Sequence, residues 1–214
     1  MQSERLKDKL MRLDFDIHHI SVMSRKNISH HALVRLIIST LATVEELENL
    51  IKKDVRKKSS NGLHSVVLRR GGKSRIAYID ELTYKVLMNL CEKKKNREKI
   101  FSFTQEEMDS IVKIYSPPGK EYGVNTLRNA VIKILKDCSF FDDYIPYITG
   151  ELKAKNKEDI EKFLLDFHPM FSGMWDLEDE EVATDFLEIY SEVTGEELDK
   201  ISEKLEKLKQ NIKI

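Results

Sequence analysis

Ser65-Val66-Val67-Leu68-Arg69-Arg70-Gly71-Gly72-Lys73-Ser74-Arg75-Ile76-Ala77-Tyr78-Ile79 is the stretch on which the fold turns. Two short β-prone runs flank a Gly-Gly pair. Glycine reaches positive φ without a steric penalty, so this spacing predicts a hairpin closed by a tight turn. Its tip carries Arg69, Arg70, Lys73 and Arg75. Just upstream, Lys57-Lys58-Ser59-Ser60-Asn61-Gly62 is turn chemistry, and Lys52, Lys53, Arg56, Lys57 and Lys58 extend the run of cations. Across residues 51–75, nine Lys or Arg accompany a single Asp.

Outward from the hairpin the periodicity is helical. Upstream, residues 3–17 carry an apolar stripe of Leu6, Leu10, Leu13 and Ile17, and residues 18–27 lose the pattern. Ser29 can cap a helix over 30–41 that buries Leu33, Ile37, Ile38 and Leu41. Thr43-Val44-Glu45-Glu46 is a capping box, predicting a second helix to about residue 53. Downstream, Asp80 can cap a helix to about residue 94. The cations Lys93, Lys94, Lys95, Arg97 and Lys99 then read as a helix end that complements the macrodipole. A further box, Thr104-Gln105-Glu106-Glu107, opens a helix that Ser116-Pro117-Pro118-Gly119 ends. Asn125 reads as the N-cap of a helix over 126–136, residues 139–150 read as irregular, and helices follow at 157–167, 178–192 and 195–213. The fold class is therefore mainly α with one small antiparallel hairpin or sheet. Three regions are expected: an N-terminal helix and linker (1–28), a DNA-binding domain (29–150) and an acidic helical region (151–214).

Charge follows the same division. Residues 1–138 carry a net charge of +10 and residues 139–214 of −11, which together give the chain's −1. So strong a polarity points to a surface for a polyanion rather than to a neutral ligand. Double-stranded DNA is the expected partner. The two cysteines, Cys91 and Cys138, lack metal or disulfide spacing. The adjacent pairs His18-His19 and His30-His31 lack a carboxylate at ligand spacing. No phosphate-binding Gly-rich loop or Ser-His-Asp arrangement occurs, so no cofactor, metal or catalytic residue is assigned. With neither a secretory signal nor an apolar run of membrane-spanning length, a cytoplasmic, nucleoid-associated protein is expected. A surface rich in Lys and Glu with only three glutamines fits a thermophile.

Two C-terminal features suggest packing. His168-Pro169-Met170-Phe171-Ser172-Gly173-Met174-Trp175 reads as a plug docking the last helices onto the core, or as a partner surface. Thr194-Gly195-Glu196-Glu197 reads as a third capping box. The helix after it carries Leu198, Ile201, Leu205, Leu208 and Ile212, a seam that would dock on the chain itself or join a homodimer.

The middle of the chain, residues 30–150, resembles the catalytic domain of the tyrosine recombinase (phage integrase) family. Leu41-Ala42-Thr43-Val44-Glu45-Glu46-Leu47, with Leu50 and Asp54, resembles that family's Gly-Leu-Arg-x-x-Glu-Leu box. Arg70 to Arg75 occupies the place of its lysine hairpin, and Asn125-Thr126-Leu127-Arg128 that of its His-x-x-Arg box. The departures fall on the chemistry. The family's first arginine falls on Thr43, its lysine on Arg70 or Lys73, its histidine on Asn125 and its nucleophilic tyrosine on Ile160, while Gly150-Glu151 stands for a Gly-His pair. Only the second arginine survives, as Arg128. The resemblance thus implies a recombinase-like fold with a dismantled active site, unless Tyr144, Tyr147 or Tyr190 substitutes for the nucleophile. A helix pair followed by a hairpin also fits a winged helix, and the plug and final helix also fit a protein-interaction module. The candidate nucleic-acid contacts are Lys52, Lys53, Arg56, Lys57, Lys58, Arg69, Arg70, Lys73, Arg75 and Arg128.

Overall fold

The structure, a computed structural model, describes residues 2–57, 63–138, 144–151, 157–172, 174–175 and 180–211. Lys58, residues 176–179 and Ile212 lie outside the described residues. The chain is mainly helical around one three-stranded antiparallel sheet, in the order α1 (Gln2–Met23), α2 (Ile28–Thr40), α3 (Val44–Glu48), β1 (Val55–Arg56), β2 (His64–Arg70), β3 (Lys73–Ile79), α4 (Glu81–Cys91), α5 (Gln105–Ile114), α6 (Val124–Cys138), α7 (Ile145–Ile148), α8 (Lys157–Phe167), α9 (Pro169–Ser172), α10 (Glu180–Thr194) and α11 (Leu198–Gln210). Sheet order follows chain order, β1-β2-β3. Arg70 faces Lys73 across a two-residue loop. Gly71 and Gly72 there have φ of 54° and 75°, the backbone a type I′ turn requires.

Alternation then assigns the faces. Val66, Leu68, Ala77 and Ile79 share one face and are buried against α2 and α3. Arg70, Lys73 and Arg75 lie on that same face by register, and Arg69 lies on the other. Arg35 on α2 fastens the helices to the end of the hairpin. Its Nε donates to the Thr83 hydroxyl at 2.8 Å and a terminal nitrogen to Asp80 at 2.7 Å. Asp80 also caps α4 through the Thr83 amide. Burial alone would raise the Asp80 carboxyl, but Arg35 and Thr83 hold it below its ordinary value.

Several boundaries differ from the sequence expectations. The first helix runs on to Met23 because nearly every residue from Phe15 onward is enclosed, which removes the one-sided pattern that marks a surface helix. Asn27, not Ser29, caps α2, its side chain accepting from the amides of Ser29 and His30. The helix opened by Thr43 ends at Glu48, followed by a 3-10 turn over Lys52–Asp54 and the short strand β1. α6 starts at Val124, so Asn125 sits inside its first turn; Gly123 donates its amide to Thr126 there. Glu197 precedes α11 with no side-chain cap, so no third capping box forms. Within the stretch expected to be irregular, α7 is helical.

The C-terminal elements pack on the same core. His168 is fully buried, with Nε2 on the Ile38 carbonyl at 3.1 Å and Nδ1 accepting the Met170 amide. Trp175 donates to Asp14 at 3.0 Å and stacks on His18. Ile201, Leu205 and Leu208 are buried in their own chain against α10 and the turn at Ser24–Lys26, leaving Leu198 49 % exposed. Three of the five seam residues thus dock on the chain itself. Among the described residues no helix is long and apolar enough to cross a membrane.

Three of the four paired histidines are core groups, and the fourth, His30, is half-buried against Tyr115. His18 packs on Phe186 and Trp175, His19 holds the Tyr115 carbonyl at 3.2 Å, and His31 meets the Ser24 hydroxyl at 2.8 Å. Burial lowers the His18 imidazole to about 3 and those of His19 and His168 to about 4. Their folded values lie below the ordinary 6.5, so the unfolded chain takes up protons first as pH falls. Stability is therefore full above about pH 7 and declines below 6.5, by up to about 1.4 kcal/mol per pH unit for each histidine. Urea midpoints should fall clearly between pH 7.5 and 5; a midpoint that holds or rises contradicts the neutral packing.

Candidate nucleic-acid interface

The site is assembled where the hairpin tip overhangs the joint between α2 and α3. At that joint Leu41 takes φ 53° as the C-cap of α2, a left-handed backbone rare for a branched side chain. In the resemblance this position answers to the box's glycine. Two residues on, Thr43 forms its capping box with Glu46: the Thr43 amide donates to Glu46 Oε2 at 2.8 Å.

Arg75 reaches the same carboxylate from β3. Its Nε donates to Glu46 Oε1 at 2.7 Å and a terminal nitrogen to Oε2 at 3.0 Å. The rest of the guanidinium meets the carbonyls of Ile148 at 2.6 Å and Thr40 at 3.0 Å. The side chains of Arg75 and Glu46 are only 11 % and 6 % exposed. Burial would raise the Glu46 carboxyl, but Arg75 and the Thr43 donors hold it below its ordinary value. Gly150 makes room for this arginine: a Cβ there would stand 2.3 Å from Arg75 Cδ, and its φ of 78° also excludes most other residues.

The expectation of four tip cations on one outward surface is corrected accordingly. Arg75 points inward as a strut because it sits opposite Leu68 on the core face. Arg69, on the other face, is held by a two-pronged ion pair with buried Asp54, whose second prong measures 2.7 Å. That hydrogen bonding holds its guanidinium above the ordinary value. Arg70 and Lys73 remain exposed at the tip. The turn itself is pinned, since Gly71 donates its amide to Glu45 at 2.8 Å.

Arg128 completes the group from α6. Its Nε donates to the Leu41 carbonyl at 2.8 Å, beside the guanidinium of Arg75. Among the described residues no acceptor takes its terminal nitrogens. Burial lowers its affinity for its proton, Arg75 and Arg70 lower it further, and Glu46 and Glu151 act the other way. The guanidinium groups of Arg75 and Arg128 therefore meet at the Leu41 carbonyl, with the charge of Arg70 bearing on Arg128, while the internal carboxylate of Glu46 satisfies only Arg75. An oxyanion is the ligand such a cluster fits.

Beside it lies a cleft of about 640 Å³ along β3, lined among others by Lys73, Arg75, Tyr147, Glu151 and Ile160. Ile160 is buried and brings no nucleophile. Thr43 is committed to its cap, and Asn125 is exposed. Of the remaining expected contacts, Lys53, Arg56 and Lys57 are exposed, whereas Lys52 is half-buried and donates to the Lys94 carbonyl at 2.8 Å. Glu46 and Gly150 are the members of the site that the cation-based reading left out. The signals for them were the last acidic residue of the capping box and a glycine in an aromatic segment.

No family model matches the chain. An uncharacterized protein of Archaeoglobus fulgidus is 45 % identical over 188 residues, covering 87 % of this chain and 82 % of that one. Among solved structures, a XerA recombinase superposes with a TM-score of 0.52 at 17 % identity over 76 % of this chain. The chain spans 63 % of that recombinase's length. The fold is recombinase-like.

Removing the strut should be costly, because Glu46 would stay buried without its partner. Arg75→Met is expected to lose about 3 kcal/mol in urea denaturation, and Arg70→Met less than about 0.5 kcal/mol. Equal losses would contradict the division between strut and ligand.

Proposed function

The chain belongs to one family with the Archaeoglobus fulgidus protein, and from its recombinase-like fold we propose that it is a DNA-binding protein that grips duplex phosphates without cutting them. The observation that carries this reading is Arg128, half-buried, with open terminal nitrogens and with the charges of Arg75 and Arg70 bearing on it. A backbone phosphate seated there would accept from Arg128 and be flanked by the tip cations Arg70 and Lys73. Lys53, Arg56 and Lys57 supply further phosphate contacts, and Arg69 a weaker one, because Asp54 already neutralises it. Contacts of this kind set affinity and register and carry no base readout. The region 29–150 is the DNA-binding part, and an accessory, structural or regulatory role in the nucleoid follows.

Absence of cutting rests on the chemistry of the positions. A recombinase needs arginine charge on the scissile phosphate and a hydroxyl nucleophile. Arg75 stands near the place left empty at Thr43, yet its donors are consumed by Glu46 and backbone carbonyls. The opposite reading, a cutting enzyme, is favoured by Tyr147 lining the cleft beside Lys73 and Arg75.

Fluorescence anisotropy with a duplex tests both halves. The chain should bind with an affinity that falls steeply with salt, and Arg70→Ala with Lys73→Ala should lower the log–log salt slope by roughly 2. No salt-dependent affinity for any duplex overturns the DNA reading. A covalent protein–DNA adduct that disappears in Tyr147→Phe overturns the non-cutting half.

A further inference from the structure

Glu92-Lys93-Lys94-Lys95-Asn96-Arg97-Glu98-Lys99 follows α4 as a dense run of cations. The helix ends at Cys91, so these residues form a loop rather than the helix end expected from the sequence, and the macrodipole explains little of their charge. Backbone contacts hold the loop in place. The amides of Lys52 and Lys53 donate to the carbonyls of Glu98 at 3.1 Å and Asn96 at 3.0 Å. Ile100 donates to the Leu50 carbonyl at 2.9 Å, and Ile51 and Lys99 form an antiparallel bridge. The loop's own carboxylate, Glu98, turns back onto the Lys95 amide at 2.7 Å.

This leaves the cationic side chains without a structural task. Lys53, Lys93, Lys95, Arg97 and Lys99 are exposed, and among the described residues none is held by a carboxylate. Over residues 52–57 and 92–99, nine Lys or Arg accompany three acids, and one of those acids, Asp54, is already consumed by Arg69. Gathering like charges on a fixed scaffold destabilises the free protein through self-repulsion. A polyanion relieves that repulsion.

Position relates the loop to the site already described. An open depression of about 450 Å³ is lined by Asn49, Lys53, Arg69, Arg70, the Gly71-Gly72 turn and Glu45, whose carboxylate is taken by the Gly71 amide. Lys53 thus stands on the rim facing the hairpin while its backbone is bonded to the loop. Arg70 and Lys53 share this depression, and the Lys53 backbone is bonded to Asn96, the neighbour of Arg97. We infer that the loop 93–99 is a second footing for duplex DNA, on which Lys95, Arg97 and Lys99 take phosphates of the stretch running past the hairpin turn. This rests on the DNA-binding reading and extends it from one seated phosphate to a track.

Duplexes of about one and about three helical turns separate the two footings. The triple variant Lys95→Ala, Arg97→Ala, Lys99→Ala changes only exposed side chains, so its urea midpoint should match the unaltered chain. On the long duplex its salt slope should be smaller by roughly 2 to 3, and its low-salt affinity weaker on the order of tenfold. On the short duplex both should be unchanged. A full slope on the long duplex overturns the second footing, as does an equal loss on both lengths. If the unaltered chain binds neither duplex, the DNA reading itself fails.

Discussion

The carboxylate of Glu46 is shared between two structures that would otherwise be independent. It closes the capping box that starts α3, and it receives the guanidinium that β3 sends inward through Arg75. A buried ion pair is weak evidence for stability by itself, because desolvation offsets most of the attraction. Here the pair is supported by backbone carbonyls of α2 and α7, so its worth lies in geometry. It fixes where the hairpin stands over the helices, and hence how close the charge of Arg70 comes to Arg128.

From this fixed point the cations sort themselves. Those on the core face divide into a strut, Arg75, and two free ends, Arg70 and Lys73, while Arg69 on the opposite face answers to Asp54. Arg128 is kept half-buried by the Leu41 carbonyl, itself presented by a strained left-handed residue. Strain of this kind persists where surrounding contacts over-determine it. Leu41, enclosed in the core and bonded through its carbonyl to Arg128, meets that condition.

Much of the architecture was legible because local chemistry and tertiary contacts agree. The Gly71-Gly72 turn, the boxes at Thr43 and Thr104 and the cap at Asp80 each form as residue type and spacing require. The recombinase-like order of elements could be read from these markers. What could not be read are features made by distant residues. The end of α1 is buried on all sides and so has no periodicity to detect. The strand β1 is two residues long and exists only by pairing with β2. The loop after α4 looked helical because its lysines are good helix formers, yet backbone bonds to residues 52 and 53 hold it open. For the site, sequence could count cations but not say which way each faces. Strand register puts three of the four on the core face, and of these Arg75 is the one drawn onto Glu46.

On the proposed function, Arg75 organises the phosphate site without touching the phosphate. Replacing both members of the pair, Glu46→Leu with Arg75→Met, removes the strut without leaving a lone buried charge, so the fold should survive. The salt dependence of duplex binding by this double variant is the most direct measurement. A log–log slope equal to that of the unaltered chain at a weaker overall affinity is expected; an unchanged affinity, or a slope smaller by roughly 0.9, the signature of one lost phosphate contact, would contradict it.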